Sequence, residues 1–140
     1  GGGEVAVTAL KIAAGKTQLP FFEAMIRGVL CNTLVCLAVW LAFAAHTVPG
    51  KVMAVIFPVT AFVALGFEHS VANMYLIPVG FVAAQDVATV TTSGLTTEAL
   101  STLTPAGFMA NLIPVTIGNI LGGSVLVAAV YWLCYLRPSK

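Results

Sequence analysis

The chain has 140 residues, of which 59% are apolar and 8% charged, where a soluble domain carries about 25% charged residues. Mean hydropathy is +1.02. A globule of this size cannot hide so much apolar surface, so its solvent is lipid, and a net charge of +1 excludes a nucleic-acid footprint.

The chain opens Gly1-Gly2-Gly3-Glu4 with no initiator methionine or signal peptide, an abrupt start expected of a piece of something longer. Residues 1–20 read as an amphipathic or irregular outer segment, and Pro20 suits a helix start. Within it, Lys16 is either solvated at the surface or set at the outer mouth of a pore, where it would concentrate anions. A first membrane span is expected over about 21–45, because Gly28 to Gly50 contains no Asp, Glu, Lys or Arg. Inside it Asn32 needs a partner for its amide, and a helix-to-helix hydrogen bond is the plain reading. Cys31 and Cys36 in this span, with Cys134 in another, read as small packing residues with neither metal-ligand spacing nor a disulfide framework. His46 to Lys51 contains Pro49-Gly50 and reads as a tight turn.

The second span is the most informative. Between Lys51 and Asp86 lie 34 residues, sixteen uncharged from Val52 to Phe67 and sixteen from Ser70 to Gln85, with Glu68 and His69 between them. One straight helix of that length would be ~51 Å long against a hydrocarbon core of ~30 Å. A span over about 52–85, broken near 66–70, resolves the mismatch. Pro58 and Pro78 flank the centre, and Gly66 is the better pivot because it tolerates backbone angles other residues resist. Ser70 is placed to cap the second half-helix. Interrupted helices at this depth occur only where protein or a water-filled cavity surrounds them. Their exposed N-termini favour anions, and an intramembrane ionisable residue marks a functional site. His69 titrates near neutral pH and could share a proton with a weak acid. Glu68 needs partners as a buried carboxylate and is expected to accept hydrogen bonds from loop amides or Asn73, holding the break in shape. Two other readings of His69 stay open, a satisfied packing residue and an axial haem ligand in a cofactor-bearing subunit.

Ala88 to Thr104 is rich in Thr and Ser and reads as an exposed loop or short surface helix. The third span is expected over about 107–136, within 38 uncharged residues from Ala99 to Leu136. Its Gly118 and Gly122 form a GxxxG pair that allows close helix packing. Basic residues set the orientation. Lys51, Arg137 and Lys140 lie on one side with no acid, whereas Lys11, Lys16 and Arg27 on the other are offset by Glu4, Glu23, Asp86 and Glu98. The C-terminus is therefore expected in the cytoplasm of a multi-pass plasma (inner) membrane protein. No nucleophile–base pair or metal cluster suggests an enzyme, and no cofactor is expected.

Three motifs in order, CNTLVCLAVW (31–40), GFEHSVANMYLIPVG (66–80) and NLIPVTIGNILGG (111–123), closely resemble the formate/nitrite transporter family over nearly the whole chain. The resemblance implies an all-α integral membrane fold, three membrane segments with the middle one broken, forming an aquaporin-like half of a six-span protomer. It also implies a homopentamer with one pore in each protomer. This chain looks like the second half, residues 21–140 being the half-domain, with the first half supplied by the rest of the protein or by another chain. His69 matches the family's central pore histidine, and Glu68, Ser70 and Asn73 fall in the same motif. Phe62 matches an aromatic that narrows the pore and Val35 an aliphatic at a constriction. Lys16 and Asn32 match polar residues of the outer pore region. Thr33 departs from the family form, in which a bulky aromatic is expected beside Asn32. The family implies small monovalent anions of weak acids as substrates. The NMYLIPVG and NLIPVTIGN forms look closer to the formate branch than to nitrite, with hydrosulfide a third possibility, and imply channel-like or proton-coupled transport.

Overall fold

The computed structural model describes residues 2–137; Lys140, counted above in the orientation argument, lies outside them. The regular elements among the described residues are all helices, in the order α1 (Gly2–Thr17), α2 (Phe21–Ala44), α3 (Val48–Ala64), α4 (Ser70–Ala83), α5 (Val87–Ser93), α6 (Thr97–Ser101) and α7 (Pro105–Ile120). The helix of α7 continues to Leu136, with π-type winding over Leu121–Ala129 and Trp132–Leu136. The chain divides into two compact units, one of residues up to Glu23 with Ser70–Pro114, the other of Ala24–His69 with residues from Val115 onward.

In the first unit α1 is a regular helix where an amphipathic or irregular segment was an equal expectation. Glu4 in its first turn and Lys16 in its last oppose the helix dipole. Its buried face is small, with Leu10, Ala13 and Ala14 fully enclosed, and it packs on α4. A Cβ added at Gly80 would lie 2.1 Å from Ala13 Cβ, so only glycine permits this approach. The Thr-rich stretch forms two short capped helices. Asp86 Oδ2 accepts from Thr89 N–H at 3.0 Å and starts α5, Gly94 in the left-handed region (φ 65) ends it, and Thr96 Oγ1 caps α6 at Ala99 N–H.

The second unit is built on a seam of glycines. A Cβ at Gly118 would sit 2.1 Å from Met25 O, and one at Gly122 2.2 Å from Val29 O. The pair thus lays α7 against the backbone of α2. Thr33 takes part: its hydroxyl donates to Val29 O at 2.8 Å and lies 3.5 Å from Gly122 O. A bulky aromatic there would meet this contact. Pro49-Gly50, expected as a turn, lies inside the first turn of α3. Thr47 is the N-cap and accepts from Gly50 N–H at 3.2 Å, and proline is well placed where its missing N–H costs nothing.

Large apolar side chains face outward on the long helices, Phe43 being 79% and Val63 66% exposed, as lipid or further protein requires. Two helices, Phe21–Ala44 and Pro105–Leu136, are long and apolar enough to cross a membrane. With 17 residues, α3 spans ~26 Å, short of the hydrocarbon core. Within the first unit α4 and α5 form a pair bent by 109°.

Candidate functional site at the helix break

Residues 65–69 are not helical, and the reason is local. Gly66 has φ 66. Its N–H donates to Val63 O at 3.1 Å, and Phe67 N–H donates to Phe62 O at 2.9 Å. This is the Schellman pattern, in which a left-handed glycine turns the chain off the helix axis while pairing the last carbonyls. Leu65 N–H adds a 3.0 Å bond to Ala61 O.

Beyond the turn the backbone leans on its neighbours. Glu68 N–H donates to Arg27 O at 3.4 Å, and Arg27 Nη1 donates to Gly66 O at 3.1 Å. Asn119, only 7% exposed, donates through Nδ2 to Glu68 O at 3.0 Å and to Gly28 O at 2.8 Å. Asn32 Nδ2 in turn donates to Asn119 O at 2.6 Å. The break is therefore held from α2 by Arg27 and from α7 by Asn119, which supplies the hydrogen bonds that lipid cannot.

Against this framework stand the titratable groups. Glu68 is 3% exposed. His69 is half-buried, its ring centroid 6.1 Å from that of Phe62 with the planes at 40°. Its Nδ1 is buried and has no hydrogen-bond partner among the described residues. Buried polar atoms are nearly always paired, so an unpaired imidazole nitrogen calls for an explanation. Val35 is half-buried on α2, three residues on from Asn32 and so on a neighbouring face.

Of the remaining sequence candidates, Asn73 and Lys16 belong to a second polar chain within the first unit. Ser70 is the first residue of α4 and is buried; Asn73 is fully buried and donates to Asn111 Oδ1 at 2.8 Å. Asn111 Nδ2 donates to Lys16 O at 2.9 Å, so Lys16 enters through its carbonyl at the end of α1. Sequence reasoning passed over Asn111, Asn119 and the bonding role of Arg27. The signal was available, since a primary amide inside an uncharged span needs partners as Asn32 does. Among the described residues no group of three or more His, Cys, Asp or Glu could hold a metal ion.

A profile of the formate/nitrite transporter family matches residues 1–133. The chain belongs to the formate/nitrite transporter family. It is 45% identical over 141 residues to the formate channel FocA of Escherichia coli K12, covering 98% of this chain and 49% of that protein. It is 48% identical over 128 residues to a protein of Methanothermobacter thermautotrophicus named "probable formate transporter", covering 90% of this chain and 41% of that one. A solved pentameric formate channel with formate bound matches with a TM-score of 0.84 at 40% identity, over 97% of this chain and 55% of that one. The chain thus spans about half the length of the curated relatives it matches. Family and apolar helices together make it all-helical and an integral membrane protein, as its motifs implied.

Proposed function

We propose that this chain forms part of a transmembrane path for formate or a similar small monovalent weak-acid anion, with His69 as the group the anion meets. The observation that carries the reading is the buried Nδ1 of His69, without a hydrogen-bond partner among the described residues, beside a break in which the N–H groups of Gly66, Phe67 and Glu68 and the carbonyls of Gly66 and Glu68 are paired. An imidazole so placed can give a hydrogen bond to an anion, or share a proton so that the neutral acid crosses the apolar region at lower cost. The names of the relatives favour formate over nitrite or hydrosulfide.

In this reading α3 and α4 are the two halves of the middle of three membrane segments, residues 1–20 precede the first, and residues 21–140 form a half-domain completed by the rest of the protein or another chain. Glu68 shapes the break, Phe62 narrows the path beside His69, and Val35 lines a constriction. Ser70, Asn73, Asn32 and Lys16 take their path roles from the family resemblance. In this reading the protein assembles as a homopentamer in the plasma (inner) membrane with its C-terminus in the cytoplasm, a reading supported by the pentameric relative and by the distribution of Lys and Arg.

The test is formate flux into vesicles carrying the complete protein, with His69→Ala and His69→Asn compared between about pH 5 and 8. Both substitutions are expected to change the flux and flatten its pH dependence. Parental flux and pH profile in both variants would refute the role of His69, and greater flux of nitrite or hydrosulfide than of formate would refute the substrate.

A further inference from the structure

Arg27 is a cation within the first turns of an apolar membrane helix, and beyond the orientation argument nothing in the reading so far uses its charge. A guanidinium at such a position is costly unless it is well paired. The structure gives it an unusual pair of duties. Its side chain donates from Nη1 to Gly66 O at 3.1 Å, while its own carbonyl accepts Glu68 N–H at 3.4 Å. One residue of α2 thus grips the break at both ends of the Gly66-Phe67-Glu68 tripeptide, next to His69. A Cβ added at Gly66 would lie 3.6 Å from Arg27 Nη1, in ordinary contact.

The chemistry of the break explains why a guanidinium serves here. With φ at 66, Gly66 turns its peptide off the helical path, and its carbonyl needs a donor from outside the helix. Lipid cannot supply that donor. A planar, permanently charged fork can, and it gives a stronger bond than a neutral donor would. A single bond of this kind to the pivot restricts Gly66, and through it the direction in which Glu68 and His69 are presented.

We propose that Arg27 is a positioning residue that locks the break, so that His69 is presented in one fixed orientation to the permeating anion. The lock rests on the proposed function only in that last clause, so the two can fail separately. The experiment uses the complete protein in vesicles with Arg27→Ala, Arg27→Gln and Arg27→Lys, reading amide hydrogen exchange residue by residue alongside formate flux. The lock requires that Arg27→Ala speed exchange at Gly66, Phe67 and Glu68 by about fivefold or more, leave the amides of α1 and α4 unchanged, and lower flux by a similar factor. Arg27→Lys, which keeps charge and one donor, should recover part of both, and Arg27→Gln less. Unchanged exchange at 66–68 in Arg27→Ala, or an equal rise along the whole chain, overturns the lock. Faster exchange confined to 66–68 with parental flux supports the lock and overturns the placing of the break on the permeation path. Should Arg27→Ala fail to assemble, Arg27→Lys and Arg27→Gln decide alone: exchange at 66–68 must be slower in Lys than in Gln, and equal rates overturn the proposal.

Discussion

Replacing Asn119 by alanine isolates the contribution of α7 to the break. The substitution removes two donors at once, the 2.8 Å bond to Gly28 O and the 3.0 Å bond to Glu68 O. It leaves intact the bond that Asn32 makes to the Asn119 backbone carbonyl. Side-chain hydrogen bonds between membrane helices contribute ~0.6 kcal/mol on average and ~1.7 at most, so two of them predict a loss of ~1–3 kcal/mol. The site is buried, which excludes rescue by bulk water and favours the upper part of that range. Reversible denaturant unfolding of the complete protein in mixed micelles measures it. Asn32→Ala, which loses one bond, should cost about half as much. Asn119→Asp should be at least as damaging as alanine, since an ionised carboxylate can donate to neither carbonyl and faces both with negative charge. Stability within about 0.5 kcal/mol of the parent for Asn119→Ala, the scale of an inert surface change, would refute the claim that this amide holds the break.

Two further expectations rest on other elements. Gly118→Ala places a methyl 2.1 Å from Met25 O and 3.0 Å from Val29 N, backbone atoms that cannot rotate away. It should cost ~1–3 kcal/mol by overpacking, whereas Gly15→Ala, with nothing within 4 Å in α1, should stabilise by ~0.5–1 kcal/mol; thermal melting of both variants checks the opposite signs. At Asp86, the Thr89 hydroxyl and then the Thr89 N–H hold the carboxyl below its ordinary value of 3.8. A depressed carboxylate stabilises the fold fully above that ordinary value and loses its contribution as pH falls through the lowered one. The start of α5 should therefore fray only in that acid window, and Thr89→Val should move the Asp86 titration upward. A carboxyl NMR titration of Asp86 at or above 3.8 in the parent would contradict the cap.

The parts of this molecule that sequence reading reaches are those with a local cause. Uncharged runs locate α2 and the long helix from Pro105, since lipid leaves few other uses for such runs. Gly66 marks the interruption because no other residue so readily takes the left-handed backbone a Schellman turn needs. Pro49-Gly50 misleads because the same dipeptide suits a turn and a helix start, and the hydroxyl of Thr47 decides for the helix. α1 is equally hard to read: its buried face is small, Leu10 with Ala13 and Ala14, and the alanines carry little amphipathic signal although Ala13 docks closely on Gly80. The bonds that shape the break are the least legible. Arg27 and Gly66 are 39 residues apart, and Asn119 and Glu68 are 51 apart, so their pairing is written in the tertiary structure and not in any window of the chain. The wide winding after Ile120 has no sequence signal that we can identify.

The central claim is that the Nδ1 of His69 meets the permeating anion, and it is tested most directly by nitrogen-15 NMR of the imidazole in lipid bilayers. Formate should shift the His69 Nδ1 resonance in the complete protein while leaving His46, the only other histidine in this chain, unmoved. A His69 spectrum indifferent to saturating formate would contradict the account.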